Sequence, residues 1–248
     1  MITPQPQPRS AAVPASAVIP TARRPYAAAF RALIALSAVT GVAIECVLGN
    51  PFVVLSFFTI WSNILVAVVL GRSAARAWTR RPPLPAVWTG GALLCISVVG
   101  LVFHLVLANP SSEFNQAVAI DALTGGKAVA NQLLHTVTPI GVALDFLLLT
   151  RPGALRWRHA AQWLAAPFLY FAFALVRGAL LSPGAPTRYT YPFIDVAELG
   201  YGEVLLNAVV LGAAFYVLGL AIVGLDRIRP ATRLPGNRIS PQRARGLK

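Results

Sequence analysis

Charge is scarce in this sequence. Asp, Glu, Lys and Arg make up 12% of its 248 residues, against about 25% in ordinary soluble domains. A charged, water-facing surface around a soluble core is therefore excluded. Acidic side chains are scarcest, eight against twenty-one basic ones. Cysteine occurs twice, as Cys46 and Cys95. Both lie inside apolar runs, where a thiol behaves as a small hydrophobe, and two such residues give no disulfide framework. Histidine occurs three times, with no His-x-x-His pairing of the kind that builds metal sites. No short-period repeat and no stretch of soluble-domain composition interrupts the chain.

What is present is hydrocarbon. Hydrophobic residues make up 56% of the chain, and they gather into six runs, near 26–48, 52–70, 87–108, 128–149, 160–181 and 203–225. Each is about 20 residues, long enough to cross about 30 Å of lipid as a helix. The expected fold is an all-α bundle of six transmembrane helices spanning residues 26–225. Residues 1–25, rich in Pro, Ala and Ser, cannot bury a core and read as a disordered leader. The first run comes too late and is too long for the apolar core of a signal peptide. Residues 226–248 form a basic tail.

The net charge of +13 does not point to nucleic acid, because the basic residues fall between and after the apolar runs. The leader, the connections after the second and fourth runs and the tail hold seventeen of the twenty-one. The positive-inside rule then puts both termini in the cytoplasm. Trp78, Trp88, Trp157 and Trp163 fall at the inner boundary and Tyr189, Tyr191 and Tyr201 at the outer one, as interfacial belts do. The arginines of the tail also suit anionic lipid headgroups.

Polar residues inside the runs are the next signal. His135 sits within the fourth run, where an imidazole is costly and by default marks function. Pro139 follows by four residues. It removes an N–H and crowds the carbonyl of His135, so the helix should bend there. Asn131, four residues earlier, shares the face of His135. Thr59 lies seven residues after Phe52 and His135 seven after Ala128. At about 1.5 Å per residue both come to about 10 Å below the outer boundary. Asn63, His104, Arg177, Glu45 and Asn207 fall in the same half of the bilayer. Such a layer predicts a polar cavity open to the outside, or else a network of interhelical hydrogen bonds.

A hydroxyl and an imidazole at one depth make a nucleophile and a base if their helices adjoin. Asn63 or Asn131 would supply a donor to a developing oxyanion. His104, Arg177 and Glu45 are candidates for substrate binding, with Arg177 suited to a carboxylate or phosphate fork or to pairing with Glu45, Asp195 or Glu203. Asp145, about three turns below His135, is expected to face Arg151 or Arg156. His159 reads as interfacial. The segment 188–203 reads as a lid over the cavity or as an interfacial anchor.

Three functions follow from these residues. One is nucleophilic catalysis by Thr59 with His135 as its base, with membrane lipids as partners and no cofactor. Another is a non-catalytic membrane protein that binds or transports a lipid or small molecule, although no paired broken helices of the transporter kind occur. The weakest is a metal site on His104, His135 and Glu45.

The segments Phe58-Thr59-Ile60-Trp61-Ser62-Asn63, His135-Thr136 with Pro139, and Tyr191-Pro192-Phe193-Ile194-Asp195 occur in that order. Together they resemble the androgen-induced gene family, which includes the androgen-dependent TFPI-regulating proteins. Bacterial six-span proteins look closer still over residues 31–225. The resemblance implies six spans, residence in a cell membrane, and hydrolysis of fatty acid esters of hydroxy fatty acids. It also implies a catalytic threonine at Thr59 and a catalytic histidine at His135. Ser62-Asn63 and Arg177-Gly178 depart from the eukaryotic pattern and leave substrate preference open.

Overall fold

Six helices are long and apolar enough to cross a bilayer: α1 Pro25–Leu48, α2 Phe58–Trp78, α3 Ala86–Leu107, α4 Gly125–Leu149, α5 Trp157–Leu180 and α6 Val196–Ile228. The computed structural model describes residues 24–185 and 187–230. It is 78% helix, without strands among the described residues. The leader lies outside the described residues up to position 23, and the tail from position 231 onward. Arg24 and Pro25 are not loose ends, since Pro25 opens α1 and the Arg24 amide donates to the Ala77 carbonyl at 3.2 Å.

α3 is the centre of the bundle. Of its most apolar eighteen residues 61% are buried, against 17% for α6 at the edge. Leu94 and Ile96 lose all contact with the surroundings. Close approach depends on small residues, as it does wherever lipid removes the hydrophobic drive between helices. A Cβ on Gly100 would stand 3.0 Å from Pro139, so glycine eases the close approach of α4 to α3. Gly90 similarly admits the ring of Trp163. Trp163 is buried and donates to the Val87 carbonyl at 2.8 Å. It is therefore not a belt residue, whereas Trp78, Trp88 and Trp157 are about half exposed.

The second span differs from its expected outline. It is not one helix from residue 52. Asn50 caps a short helix, Pro51–Val54, by accepting from the Phe52 amide at 3.0 Å. The chain then turns through Leu55 and Ser56, passes extended at Phe57 and starts α2 at Phe58. A break at this depth leaves carbonyls that lipid cannot satisfy. Side chains do so instead: Trp61 Nε1 donates to Leu55 O at 2.7 Å and the Tyr170 hydroxyl to Ser56 O at 3.1 Å. Thr59 thus lies at the start of a helix, not seven residues into one.

α6 begins at Val196, earlier than the hydropathy pattern indicates. Asp195 caps it by accepting from the Ala197 amide at 2.9 Å, and Gly200, at φ 75°, kinks it where the apolar run starts. Glu198, Gly200 and Gly202 interrupt the apolar pattern of this start, which is why hydropathy places the span later.

The described termini lie at one end of the bundle, here the basic end. Arg24 donates to Leu149 O at 3.0 Å, and Arg229 donates to the carbonyl of Phe146 and covers its ring at 4.0 Å. Asp145 pairs with Arg31 of α1 at 2.7 Å and accepts from Thr150 at 3.1 Å, not with Arg151 or Arg156. Burial accounts for the choice: a carboxylate inside the bundle is held only by a cation equally enclosed. His159 is buried as well, its Nδ1 accepting from the Arg156 amide at 3.2 Å, and so is not an interfacial side chain.

Candidate active site

α4 is not uniform. Residues Leu133–Val137 and Asp145–Leu149 are π-helical, as is Phe103–Leu107 at the end of α3. Pro139 supplies no N–H to the His135 carbonyl, and the Thr138 amide reaches back five residues to Leu133 O. The proline is accommodated by a turn widened by one residue.

There His135 Nε2 lies 3.3 Å from Thr59 Oγ1. On the other side of the ring Nδ1 lies 3.1 Å from the Asn131 carbonyl. A carbonyl only accepts, so Nδ1 carries the proton and Nε2 is left to accept from the hydroxyl. The ring is stacked on Phe103, centroids 4.2 Å apart at 22°. Packing from one face and a hydrogen bond at the rear fix the imidazole against Thr59.

Tyr191 completes the group. Its hydroxyl is 3.3 Å from Thr59 Oγ1 and 3.3 Å from the Thr59 amide, which donates to it. That amide is among those left unsatisfied at a helix start. Burial pushes the Tyr191 phenol above its ordinary range, against the opposing pull of its hydrogen bonds with Thr59 and Phe58. The phenol therefore stays a donor throughout the neutral range. Tyr170, bonded to Thr190 at 2.5 Å, packs edge-on to Tyr191 with centroids 6.1 Å apart.

The other sequence candidates take different places. Asn63 is fully buried, and its amide donates to Thr59 O at 2.9 Å and Leu134 O at 3.3 Å. It ties α2 to α4 and is not free to serve an oxyanion. Asn131 acts through its main-chain carbonyl. His104 is exposed and meets Thr136 at 3.1 Å, edge-on to Phe103. Glu45 pairs with Lys127 at 2.6 Å, far from the grouping a metal would need. Among the described residues no three His, Cys, Asp or Glu side chains gather. Arg177 donates to the carbonyls of Thr187 and Arg188, and Arg188 returns a bond to Gly178 O. The pair fastens the loop that carries Tyr191 instead of presenting a fork to a ligand or pairing with Glu45, Asp195 or Glu203.

A cavity of about 810 Å³, counting the open space at its mouth, begins at Thr59, His135 and Tyr191. It runs between α3, α5 and α6, and Tyr170 supplies the one further polar side chain of its lining. The turn Pro192–Ile194 closes over it, pinned by Asn207 donating to Phe193 O at 3.1 Å. The cavity is thus more apolar, and more covered at its loop end, than the polar, outward-open one expected.

Tyr191 joins Thr59 in the candidate site, whereas the sequence placed it as a belt or lid residue. Its signals were the proline that follows, which extends the chain at 191, and its place in the third of the motifs that carry the resemblance. No family model, curated protein or solved structure matches the chain.

Proposed function

We propose that this protein is an intramembrane hydrolase of fatty acyl esters, with Thr59 as nucleophile and His135 as base. The observation that carries the reading is the 3.3 Å approach of Thr59 Oγ1 to an imidazole whose far nitrogen is already committed to a carbonyl. The order of motifs described above, and their resemblance to the androgen-induced gene family, point the same way.

The chemistry balances as a two-step acyl transfer. Thr59 Oγ1 attacks the ester carbonyl carbon while its proton passes to His135 Nε2. Charge gathers on the former carbonyl oxygen, and the Tyr191 hydroxyl, which now faces Thr59 Oγ1, is the donor we assign to it. The C–O bond to the alcohol breaks, and the leaving alkoxide takes the proton from Nε2. Water then attacks the acyl-threonine, with His135 again taking and returning a proton, and a fatty acid departs. The arginines put the basic end in the cytoplasm, which sets this chemistry in the outer leaflet of a cell membrane as a multi-pass protein.

One observation favours a second reading, lipid binding without turnover. The imidazole is backed by a carbonyl and not by a carboxylate, so an imidazolium gains less support than in an acid-backed triad. The two readings part when purified protein in vesicles is given fluorogenic fatty acyl esters. Hydrolysis is expected, with Thr59→Ala and His135→Ala each slowing it by about a thousandfold or more. Either variant working as fast as wild type refutes the mechanism. Unbroken ester recovered with wild type after long incubation selects binding alone.

A further inference from the structure

The two helices that bound the cavity away from the reactive group, α5 and α6, pack closely only at the basic end. At the basic end they touch closely, with Gly219 of α6 against Ala160 of α5. At the loop end the turn 192–194 lies on α6. Between these points the backbone of Ala165–Leu180 approaches no other long helix closely, and its aromatic side chains bridge the gap. Phe168 is the side chain that covers the seam. Its ring lies 3.6 Å from where a Cβ on Gly212 would stand, it lines the cavity, and it is 54% exposed on its outer face. At this seam the Phe168 ring both lines the cavity and is exposed at the surface of the bundle.

We infer that the seam between α5 and α6, covered by Phe168 over Gly212, is a lateral portal through which the acyl chain of a membrane-dissolved ester enters the cavity. The occupant follows from the lining. Every wall beyond Thr59, His135, Tyr170 and Tyr191 is hydrocarbon or aromatic, so only an apolar chain gains by lying there. A chain already dissolved in lipid reaches the seam without crossing water. Its ester group then stops where the polar side chains begin. A second hollow, at the loop end beyond Phe193, is mostly apolar, with Ser112, Glu113 and Asn207 as its polar side chains. The portal deepens the hydrolase reading by naming the source of its substrate, and it rests on that reading only for what happens after entry.

The test uses the whole protein in vesicles of phosphatidylcholine and phosphatidylglycerol, with a palmitoyl ester carrying a mid-chain diazirine. Irradiation followed by peptide mapping, with excess unlabelled ester as competitor, reads where the chain sits. Saturable adducts are expected on residues 164–171 and 208–215. Gly212→Trp, which fills the seam, is expected to cut them by about tenfold, and Phe168→Ala to raise them. Saturable adducts confined to 109–116 and 189–195 overturn the portal, as does undiminished labelling in a folded Gly212→Trp protein. Should that variant not fold, unchanged labelling in Phe168→Ala overturns it. Ester turnover by the wild type is scored separately. Saturable seam labelling without turnover keeps the portal and removes the hydrolase, whereas turnover without seam labelling does the reverse.

Discussion

The hydroxyl of Tyr191 stands 3.3 Å from both the Oγ1 and the amide nitrogen of Thr59. A residue from the loop before α6 thereby joins the first turn of α2, at the one place where a helix has amides to spare. This contact explains why the second span is broken. A continuous helix through residues 52–70 would bury the Thr59 amide in its own ladder.

Tyr191→Phe removes the phenolic donor while keeping the ring packed on Phe193. The expected outcome is a fall in kcat of about a hundredfold with KM little changed, since the bond strengthens only as charge develops. A KM effect alone would show that Tyr191 merely shapes the cavity.

The raised proton affinity of Tyr191 has a signed consequence. A phenol that holds its proton more tightly when folded stabilises the fold fully below its unfolded value of about 10, and loses that contribution as pH rises through the folded value. Thermal unfolding midpoints should be insensitive to this group between about pH 7 and pH 9 and fall above about pH 10. Tyr191→Phe should flatten that alkaline fall. An alkaline profile identical to wild type would contradict the assignment.

Asn63→Leu keeps volume and strips the amide that spans Thr59 O and Leu134 O. Leaving buried carbonyls unpaired should cost about 1–3 kcal/mol. Ester turnover should fall as well, because the spacing of α2 and α4 sets the Thr59 to His135 distance. Denaturation in mild detergent and kcat on the same preparation measure both.

At the basic end, Asp145→Asn should destabilise the bundle by about 3–5 kcal/mol by stranding Arg31 in a buried site. Joint replacement, Arg31→Met with Asp145→Leu, should recover most of that loss. If the double variant is as weak as the single one, the pair serves as more than mutual compensation.

The alternation of apolar runs and arginines specified six helices and their number of crossings. Hydrocarbon length and charge exclusion act on each segment by itself, so no tertiary information is needed. His135 and Pro139 also marked their own importance locally, the one by cost and the other by a missing N–H. Thr59 and His135 fall at equal depth in the sequence pattern, but the fold joins them differently: Thr59 opens α2 after a break, and His135 reaches it from a π turn. Trp163 and His159 look interfacial by position, yet both are buried because glycines and a neighbouring helix make room for them.

The sequence by itself determined six helices long and apolar enough to cross a membrane, with polar side chains inside them where lipid makes such groups expensive. Which of those side chains meet was decided only by packing. Contact between Thr59, His135 and Tyr191 depends on the start of one helix, a widened turn in another and the path of a loop. Each of those is set by neighbours distant in the chain, and hydropathy carries no record of them.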